Sequence, residues 1–311
     1  MDTDTMKAVR VARFGGPETV KIERIPKPKP GTGEVLVRVE ACAINPIDWK
    51  LREGIFKDLK LPFTPGGDFC GSIEELGAGV TEYEKGQAVY GCAPGSVGAD
   101  AEYVVCPTAN LASKPRVLGP IEAASVPLAA MTAWQGLYAH GGLESGQTVL
   151  ILGASGGVGS FAVQLAKLKG ARVIGTASAA NVDRVRGLGA DVVVDYKKEK
   201  IEDVAKDVDL VFDLVGGELQ KRAFACVKPG GRLISTVQPP DDRLAKKNKI
   251  TAMMFRMKPD AGQLRELATR IDAQDIEVEV AKIMPLDKAA EAEELNRGQK
   301  VDGKIVLQVG R

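Results

Sequence analysis

The sequence predicts an α/β protein with two parts: a doubly wound parallel sheet with helices on both faces, and a mainly antiparallel, barrel-like β domain. Three observations predict this class. Short β-rich runs fill the first third of the chain, apolar runs alternate with helical stretches from about residue 121 onward, and the glycine-rich stretch ILGASGGVGS stands at residues 151–160. A chain of 311 residues also has room for roughly two domains.

The antiparallel domain is predicted from β-rich runs separated by Gly- and Pro-rich turns such as PKPKPGTGE. The runs are MKAVRVARF, EVLVRVEACAIN, DFCGSIEELG and AEYVV. After Met257 come an amphipathic helix, GQLRELATRIDA, the stretch IEVEVAKIMPL, a charged helix, DKAAEAEELNRG, and a last strand, GKIVLQV. We expect this tail to return to the antiparallel domain. We therefore assign residues 1–121 and 259–311 to the antiparallel domain and residues 122–258 to the parallel-sheet domain.

Residues 122–258 carry the alternating pattern of a parallel sheet. The apolar runs are VLILG, ARVIGT, DVVVDY, VDLVFDLV, GRLISTV and KITAMMF, and helical stretches lie between them. Parallel strands need long crossover connections, which are usually helices. The alternation therefore predicts a sheet with helices on both faces.

The glycines of ILGASGGVGS lie between the first of these strands and a helical stretch, where a dinucleotide pyrophosphate needs backbone N–H groups and a helix N-terminus. Gly156 lets the backbone approach the phosphates, and Gly159 lets the helix pack closely on the strand. This is the pattern of a Rossmann domain, although an ordinary tight turn is the alternative. The residues that we expect to bind the cofactor here are Ala154, Ser155, Gly156, Gly157, Val158 and Gly159.

The end of the second strand indicates which dinucleotide binds. NAD-binding proteins usually carry an acidic residue there, but this strand ends Gly-Thr-Ala-Ser at residues 175–178. A 2′-phosphate could therefore be bound by Ser178, with Arg184, Tyr196 or Lys197 nearby, which predicts NADPH as the cofactor. The alternative for Ser178 is a capping role at the helix that begins near Asn181, and the two roles are compatible.

Composition and charge exclude several classes of function. The chain has 42 basic and 41 acidic residues, so we expect neither a nucleic-acid partner nor a membrane-binding basic face. No apolar run approaches the ~18 residues of a membrane span, and the N-terminus MDTDTMKAVR lacks the layout of a signal peptide, which predicts a cytoplasmic protein. The five cysteines stand far apart, as reduced thiols rather than a disulfide framework.

Seven motifs, spread over nearly the whole chain, carry a family resemblance. They are AINPIDWKLREG (43–54), PFTPGGDFCGSI (62–73), SVPLAAMTAWQGL (125–137), GASGGVGSFAVQLAK (153–167), LGADVVVDY (188–196), VFDLVGG (211–217) and DGKIVLQV (302–309). The chain resembles the medium-chain dehydrogenase/reductase superfamily and, within it, the zinc-independent NADPH:quinone and enone oxidoreductases. The resemblance implies a GroES-like antiparallel domain and hydride transfer from NADPH to a quinone or an α,β-unsaturated carbonyl compound.

The positions that resemble zinc ligands of the superfamily's alcohol dehydrogenases hold other residues here. Asn45 stands at the first of them, and Gly67, followed by Asp68, stands at the histidine of the usual Gly-His-Glu. The only histidine is His140, which we expect at a helix end, and the cysteines form no cluster. We therefore expect no metal site. Without a Lewis acid, hydride delivery to an already electrophilic conjugated acceptor is the easier reaction.

The resemblance implies that NPIDWK lies at the cleft between the domains, with Asn45 touching the nicotinamide ribose and Asp48 bracing the loop. We expect Asn45 and Lys50 to be the catalytic residues. Lys50 stands where quinone reductases often have tyrosine; its ammonium group could bind a carbonyl oxygen and stabilise the negative charge that develops as hydride arrives. The alternative is a solvated lysine or one paired with Asp48.

The matching motifs imply further contacts. Cofactor contacts are expected from Asn45, Asp48, Thr132, Val215, Gly216 and Lys304 in addition to the glycine-rich turn and the residues after the second strand. Substrate contacts are expected from Trp49, Lys50, Met131, Val237 and Met254. Met254 belongs to the cluster 253–255, for which a buried or dimer-edge strand is the alternative.

Two other functions stay open. One is a non-catalytic NADPH-binding sensor or structural protein, because a cofactor motif predicts binding rather than turnover. The other is an enoyl-thioester reductase, for which the stretch DDRLAKKNK (241–249) supplies basic residues, although a solvated loop also fits it. The apolar stretch KITAMMFRM predicts a sheet edge that pairs with a second copy, and hence a homodimer.

Overall fold

Two units, each built around its own sheet, make up the chain. The computed structural model describes residues 4–56, 58–298 and 300–310. The first unit comprises Met1–Leu128, Pro259–Gln274 and Val278–Arg311, and the second comprises Ala129–Lys258 and Asp275–Glu277.

The first unit contains nine strands and four α-helices among the described residues. The strands are β1 (Thr5–Val11), β2 (Val20–Pro26), β3 (Glu34–Ile44), β4 (Asp68–Leu76), β5 (Ala88–Cys92), β6 (Tyr103–Pro107), β7 (Leu111–Ser113), β14 (Val280–Pro285) and β15 (Lys304–Gln308). The helices are α1 (Pro46–Arg52), α2 (Pro120–Ala124), α9 (Ala261–Asp272) and α10 (Ala289–Arg297).

A seven-stranded sheet forms the core of this unit, in the order β14-β15-β3-β4-β5-β7, with β6 also paired to β3. Its pairs are antiparallel except β14 with β15, and β1 and β2 form a separate antiparallel pair. The central strand β3 buries most of its side chains. Its apolar residues join a core that includes Val35, Val37, Phe69, Ile73, Val89, Ile305 and Leu307.

The second unit contains six strands among the described residues: β8 (Thr148–Leu152), β9 (Arg172–Ala177), β10 (Val192–Asp195), β11 (Val208–Asp213), β12 (Val227–Ser235) and β13 (Thr251–Met254). Its helices are α4 (Gly157–Leu168), α5 (Val182–Gly187), α6 (Ile201–Val204), α7 (Gly217–Ala223) and α8 (Asp242–Asn248). Helix α3 (Pro127–Trp134) and the π-helical residues Gln135–His140 precede them along the chain.

All six strands run parallel, in the order β10-β9-β8-β11-β12-β13. The order therefore reverses between β8 and β11, and in such sheets ligands bind beyond the carboxyl ends of the strands at this reversal. The predicted fold class, a doubly wound parallel sheet with a mainly antiparallel second sheet, is confirmed. Strands β2, β5 and β7 were not among the strands that the sequence predicts.

Candidate cofactor and active site

The glycine-rich turn follows β8 and leads into α4. Gly153 adopts a left-handed conformation, with φ 83°, and donates its N–H to Thr176 Oγ1 at 2.9 Å. The N–H of Ala154 donates to the carbonyl of Thr176, also at 2.9 Å. The turn is therefore tied to the end of β9, which fixes its position at the reversal of strand order.

The small residues of the turn have two different roles. A Cβ atom on Gly159 would lie 2.1 Å from the carbonyl oxygen of Gly153, so only glycine allows α4 to pack this closely. Gly175 has a similar role, because a Cβ there would lie 2.8 Å from the Cβ of Ala154. A Cβ on Gly156 would meet only the Gly153 oxygen, at 3.4 Å. Gly156 therefore leaves open space at the N-terminus of α4, where N–H groups without intrahelical acceptors can bind an anion.

Three of the residues predicted near a 2′-phosphate, Ser178, Arg184 and Tyr196, lie at this turn or at the end of β9. Arg184 donates from Nη1 to the carbonyl of Ser155 at 3.0 Å, which links α5 to the glycine-rich turn. Ser178 Oγ accepts a hydrogen bond from Asn181 Nδ2 at 3.1 Å and makes no capping bond to the backbone of the turn that follows. Tyr196 is 44% exposed, and its N–H donates to the carbonyl of Ala177 at 3.4 Å. Ser178 and Tyr196 therefore lie at the end of β9, and the Arg184 guanidinium group lies beside the glycine-rich turn.

The loop after β11 lies next to the same turn. The N–H groups of Val215 and Gly216 donate to Asp213 Oδ1 at 3.1 and 2.8 Å. Asp213 Oδ2 accepts from Ser235 Oγ and Gln220 Nε2, both at 2.8 Å. Val215 is close enough that a Cβ on Gly153 would lie 3.0 Å from Val215 Cγ2. The buried Asp213 thus holds the loop beside the turn.

In the first unit, Asn45 and Asp48 form the start of α1. Asn45 donates its N–H to Asp48 Oδ2 at 2.7 Å, and Asp48 donates its N–H to the carbonyl of Asn45 at 3.0 Å. Burial raises the pKa of Asp48, and the nearby Asp100 raises it further. The Asp48 carboxylate therefore fixes the loop rather than facing solvent, as the bracing role predicts.

Asn45, Asp68 and Lys304 form a buried polar cluster. Lys304 Nζ lies 2.6 Å from Asn45 Oδ1, 3.3 Å from Asp68 Oδ2 and 3.4 Å from the carbonyl of Ile44. Asn45 Nδ2 donates to Asp68 Oδ2 at 2.9 Å and to the carbonyl of Ala43 at 3.2 Å. Burial raises the pKa of Asp68, and the Lys304 ammonium group opposes that rise. The bond between Asn45 and Asp68 was not predicted from the sequence.

Lys50 is half-buried on α1, with its ammonium group 5.4 Å from the centre of the Trp49 ring. A pair between Lys50 and Asp48 does not form: Asp48 Oδ2 binds Asn45, and Asp48 Oδ1 has no hydrogen-bond partner within the described residues. One of the two alternatives to a catalytic Lys50 is therefore removed.

A buried ion pair holds the other end of α1. Arg52 Nε lies 2.5 Å from Glu293 Oε2, Arg52 Nη2 lies 2.6 Å from Glu294 Oε1, and Arg52 and Glu293 are fully buried. Burial raises the pKa of Glu293 to about 7, although Arg52 opposes that rise. Sequence reasoning missed this pair, which fixes α1, and with it Trp49 and Lys50, against α10.

The remaining predicted residues differ in exposure. Thr132 is buried, and Met131 has no exposed surface, so a substrate could reach Met131 only if neighbouring side chains move. Val237 is 39% exposed and Met254 is half-buried. Phe255 is buried, with its ring centre 4.5 Å from that of His140.

Across the part of the chain that the structure describes, no three or more His, Cys, Asp or Glu side chains are arranged so that they could hold a metal ion. All five cysteines are buried and free. None of the described helices combines the length and the apolar character that crossing a bilayer requires.

Two family models match the chain. One is described as an alcohol dehydrogenase GroES-like domain and matches residues 31–116; the other is described as a zinc-binding dehydrogenase and matches residues 188–307. An Arabidopsis thaliana protein named NADPH-dependent alkenal/one oxidoreductase, chloroplastic, is 34% identical over 97% of this chain and 79% of its own length.

Solved structures give the same picture. The quinone oxidoreductase from Coxiella burnetii has a TM-score of 0.91 and 32% identity, with 98% of this chain and 100% of that chain covered. A mycobacterial protein complexed with NADPH has a TM-score of 0.88 and 29% identity, with the same coverage. These similarities extend over both units.

Proposed function

Because the chain belongs to the medium-chain dehydrogenase/reductase superfamily, in its family of quinone and enone oxidoreductases, we propose that it transfers a hydride from NADPH to a quinone or an α,β-unsaturated carbonyl compound. We assign NADPH binding to the parallel-sheet unit and substrate handling mainly to the antiparallel unit. The observation that carries the proposal is the glycine-rich turn at the reversal of strand order, with Arg184 bonded to it and no acidic residue at the end of β9.

The described residues fit NADPH. The open space at Gly156 and the N-terminus of α4 suit the pyrophosphate, and Ser178, Arg184 and Tyr196 suit the 2′-phosphate. When bound, the cofactor supplies the hydride. Residues 154–159 orient the cofactor through backbone groups, and the loop of Val215 and Gly216 borders them.

Asn45 and Lys50 are the residues that we propose act on the nicotinamide ribose and on the substrate. Lys50 would donate a hydrogen bond to the carbonyl oxygen, where negative charge develops during hydride addition. Its half-buried position beside Trp49 supports this role, because partial exclusion of water strengthens the interaction of an ammonium group with that charge. The apolar substrate surface is proposed to include Trp49, Val237 and Met254.

We further propose that the reaction needs no zinc, although one matching family model is described as a zinc-binding dehydrogenase. The positions that resemble zinc ligands hold Asn45 and Gly67, and the positive charge beside Asn45 and Asp68 comes from Lys304. Prolonged treatment with a chelator should leave turnover unchanged. Elemental analysis that finds one zinc per chain, with turnover lost on its removal, would contradict this.

The proposed activity is tested by following NADPH oxidation with three acceptor classes: quinones, short alkenals and enones, and enoyl-CoA. Turnover with a quinone or an enone supports the proposal. Tight NADPH binding without turnover of any acceptor identifies a sensor or structural protein instead. Turnover restricted to enoyl-CoA identifies the thioester reductase, for which the exposed basic residues near α8 would have to bind the acyl carrier group.

A homodimer is proposed from the edge of the parallel sheet. Strand β13 ends the sheet order, and Thr251 and Met253 on it are exposed. An open apolar edge favours pairing with a second copy across a two-fold axis. Light scattering should give about twice the chain mass of 33.0 kDa, and Met253→Lys should shift it toward one chain. A wild-type mass near that of one chain would contradict the dimer.

The cytoplasmic location and the lack of a nucleic-acid partner stay predictions.

A further inference from the structure

We propose that Asp213 is a positioning residue for the nicotinamide half of NADPH. Its buried side chain sets the conformation of the loop that follows β11, residues 214–217, so that this loop turns its N–H groups inward and presents Val215 to the cofactor. The inference rests on the proposed function for the identity of the ligand, and every residue that carries it belongs to the second unit.

Strand order places this loop on the nicotinamide side of the glycine-rich turn. In the sheet, β9 lies on one side of β8 and β11 lies on the other. With the pyrophosphate at the turn after β8 and the 2′-phosphate at the end of β9, the other half of a dinucleotide extends toward the carboxyl end of β11. A Cβ on Gly153 would lie 3.0 Å from Val215 Cγ2, so the loop reaches the turn itself.

The four N–H groups of the loop all have acceptors within the protein. These are the carbonyl of Leu152 for residue 214 at 3.3 Å, Asp213 Oδ1 for residues 215 and 216 at 3.1 and 2.8 Å, and Gln238 Oε1 for residue 217 at 3.1 Å. Successive N–H groups in a turn can bind an anion when they are free, but here none is left for a phosphate. The side chain that the loop exposes is Val215, which is 48% exposed. An apolar group of this kind suits the uncharged nicotinamide ring rather than a phosphate.

A chain of hydrogen bonds carries the influence of Asp213 to the far end of the loop. Asp213 Oδ2 accepts from Gln220 Nε2 at 2.8 Å, and Gln220 Oε1 accepts from Gln238 Nε2 at 3.1 Å. A carboxylate has only acceptors, so Gln220 must turn its Nε2 toward Asp213 and its Oε1 toward Gln238. Gln238 Oε1 is then the atom left for the N–H of Gly217. The orientation of both amides therefore follows from Asp213.

Asp213 also fixes the loop that follows β12. Ser235, its neighbour in register on that strand, donates from Oγ to Asp213 Oδ2 at 2.8 Å and accepts from the N–H of Val237 at 3.2 Å. Val237 is exposed and belongs to the proposed substrate surface. Asp213 and Ser235 are fully buried, so their bonds form away from solvent. One side chain therefore holds the loops after two neighbouring strands to each other.

The test compares Asp213→Ala with Asp213→Asn. Alanine removes every acceptor that the carboxylate provides and leaves the N–H groups of Val215 and Gly216 unpaired. Asparagine keeps one oxygen, which should face these two N–H groups because they cannot reorient, whereas the hydroxyl of Ser235 can rotate. Asp209→Ala is the matched control, since Asp209 lies near the other end of β11 and accepts the N–H of Thr148 at 2.8 Å.

Binding is measured by calorimetric titration with three probes: NADPH, 2′-phospho-ADP-ribose, which lacks the nicotinamide, and adenosine 2′,5′-bisphosphate. We expect Asp213→Ala to bind NADPH about tenfold more weakly than wild type does and to bind the two probes without nicotinamide equally well. Asp213→Asn should recover NADPH affinity to within about threefold of wild type. Asp209→Ala should bind every probe as wild type does.

Denaturant unfolding shows which variants are folded. If Asp213→Ala does not fold, Gln238→Ala replaces it, because Gln238 is half-buried and its truncation frees the N–H of Gly217 without changing Asp213. This variant should weaken NADPH binding about threefold and leave the affinity for the other two probes unchanged.

Three results would overturn the proposal. They are an equal loss of affinity for all three probes, which would indicate a general effect on the fold, wild-type NADPH affinity in Asp213→Ala, and an Asp213→Asn variant that binds NADPH as weakly as Asp213→Ala does. These titrations need no turnover. A wild type that binds NADPH but reduces no quinone or enone would contradict the proposed reaction alone, whereas a wild type that binds none of the probes would contradict both proposals.

Discussion

Gly156→Val should block NADPH binding without destabilising the folded protein. In the structure a Cβ at residue 156 meets no atom closer than the Gly153 oxygen at 3.4 Å, an ordinary contact. The backbone there has φ −74° and ψ 172°, which valine adopts readily. Since Gly156 is the N-cap of α4, the substitution should change the free energy of unfolding by less than about 1 kcal/mol.

The effect on NADPH should be much larger. The branched side chain would fill the open space at the N-terminus of α4, and phosphate atoms cannot approach its carbons closer than about 3.5 Å. We expect NADPH affinity to fall at least about a hundredfold, or roughly 2.7 kcal/mol, and turnover with every acceptor to fall with it. Fluorescence titration measures the affinity, and denaturant unfolding measures the stability.

Gly159→Ala is the matched control, because it lies in the same turn but is expected to lower the stability of the fold. Its Cβ would lie 2.1 Å from the Gly153 oxygen and 2.8 Å from Ala154, both backbone contacts. We expect the free energy of unfolding to fall by roughly 2–3 kcal/mol. The reasoning is refuted if Gly156→Val binds NADPH as wild type does, or if the two substitutions destabilise the protein equally.

Three further predictions follow from the described contacts. Wild type should bind NADPH at least about tenfold more tightly than NADH, a difference of about 1.4 kcal/mol in binding free energy. Arg184→Ala should reduce that preference without weakening NADH binding. Equal wild-type affinities for the two nucleotides in parallel titrations would contradict this prediction. Lys50→Ala should slow enone reduction about a hundredfold and quinone reduction less, and it should leave the NADPH dissociation constant nearly unchanged. Steady-state rates that show unchanged enone turnover would mean that Lys50 has no catalytic role. Burial raises the pKa of Asp100 to about 6 from the ordinary 3.8, so its ionisation lowers the stability of the folded state as the pH rises through that interval. Asp100→Asn should therefore raise the free energy of unfolding, by up to roughly 3 kcal/mol, with a difference from wild type that grows between about pH 4 and about pH 6. A difference that does not change with pH in denaturant titrations would count against this account.

The cofactor side of the site was predictable because its signals are local in sequence. The glycine-rich turn, the strand before it and the helix after it lie within about twenty residues, and each residue type has a direct steric reason that the structure confirms at Gly159. The alternation of apolar runs and helical stretches also predicted the parallel sheet, since hydrophobic periodicity is set by the element itself.

The polar clusters of the first unit were not predictable in this way. Lys304 meets Asn45 across 259 residues, and Arg52 meets Glu293 across 241. No local pattern marks such pairs, because a lysine or glutamate in a strand or helix reads as a solvated residue until the fold buries it. The one available signal was the buried character expected of the strands and helices that carry them.

Strands β5 and β7 were missed for a related reason. They have five and three residues, and β7 has too few positions for an alternating pattern to stand out.

Met131 shows the converse problem: its apolar character suited a substrate surface, whereas the structure places it without exposed surface. Periodicity alone cannot separate a core methionine from one that lines a pocket.

Hydride transfer itself is tested most directly with NADPH that carries deuterium at the nicotinamide C4 position of the transferred hydrogen. The purified protein is given this cofactor and a short enone, and the product is examined by NMR. We predict one deuterium at the β-carbon of the saturated ketone for each NADPH oxidised, with a solvent proton at the α-carbon. Deuterium at the carbonyl carbon, or NADPH oxidation without deuterium in the product, would contradict the account.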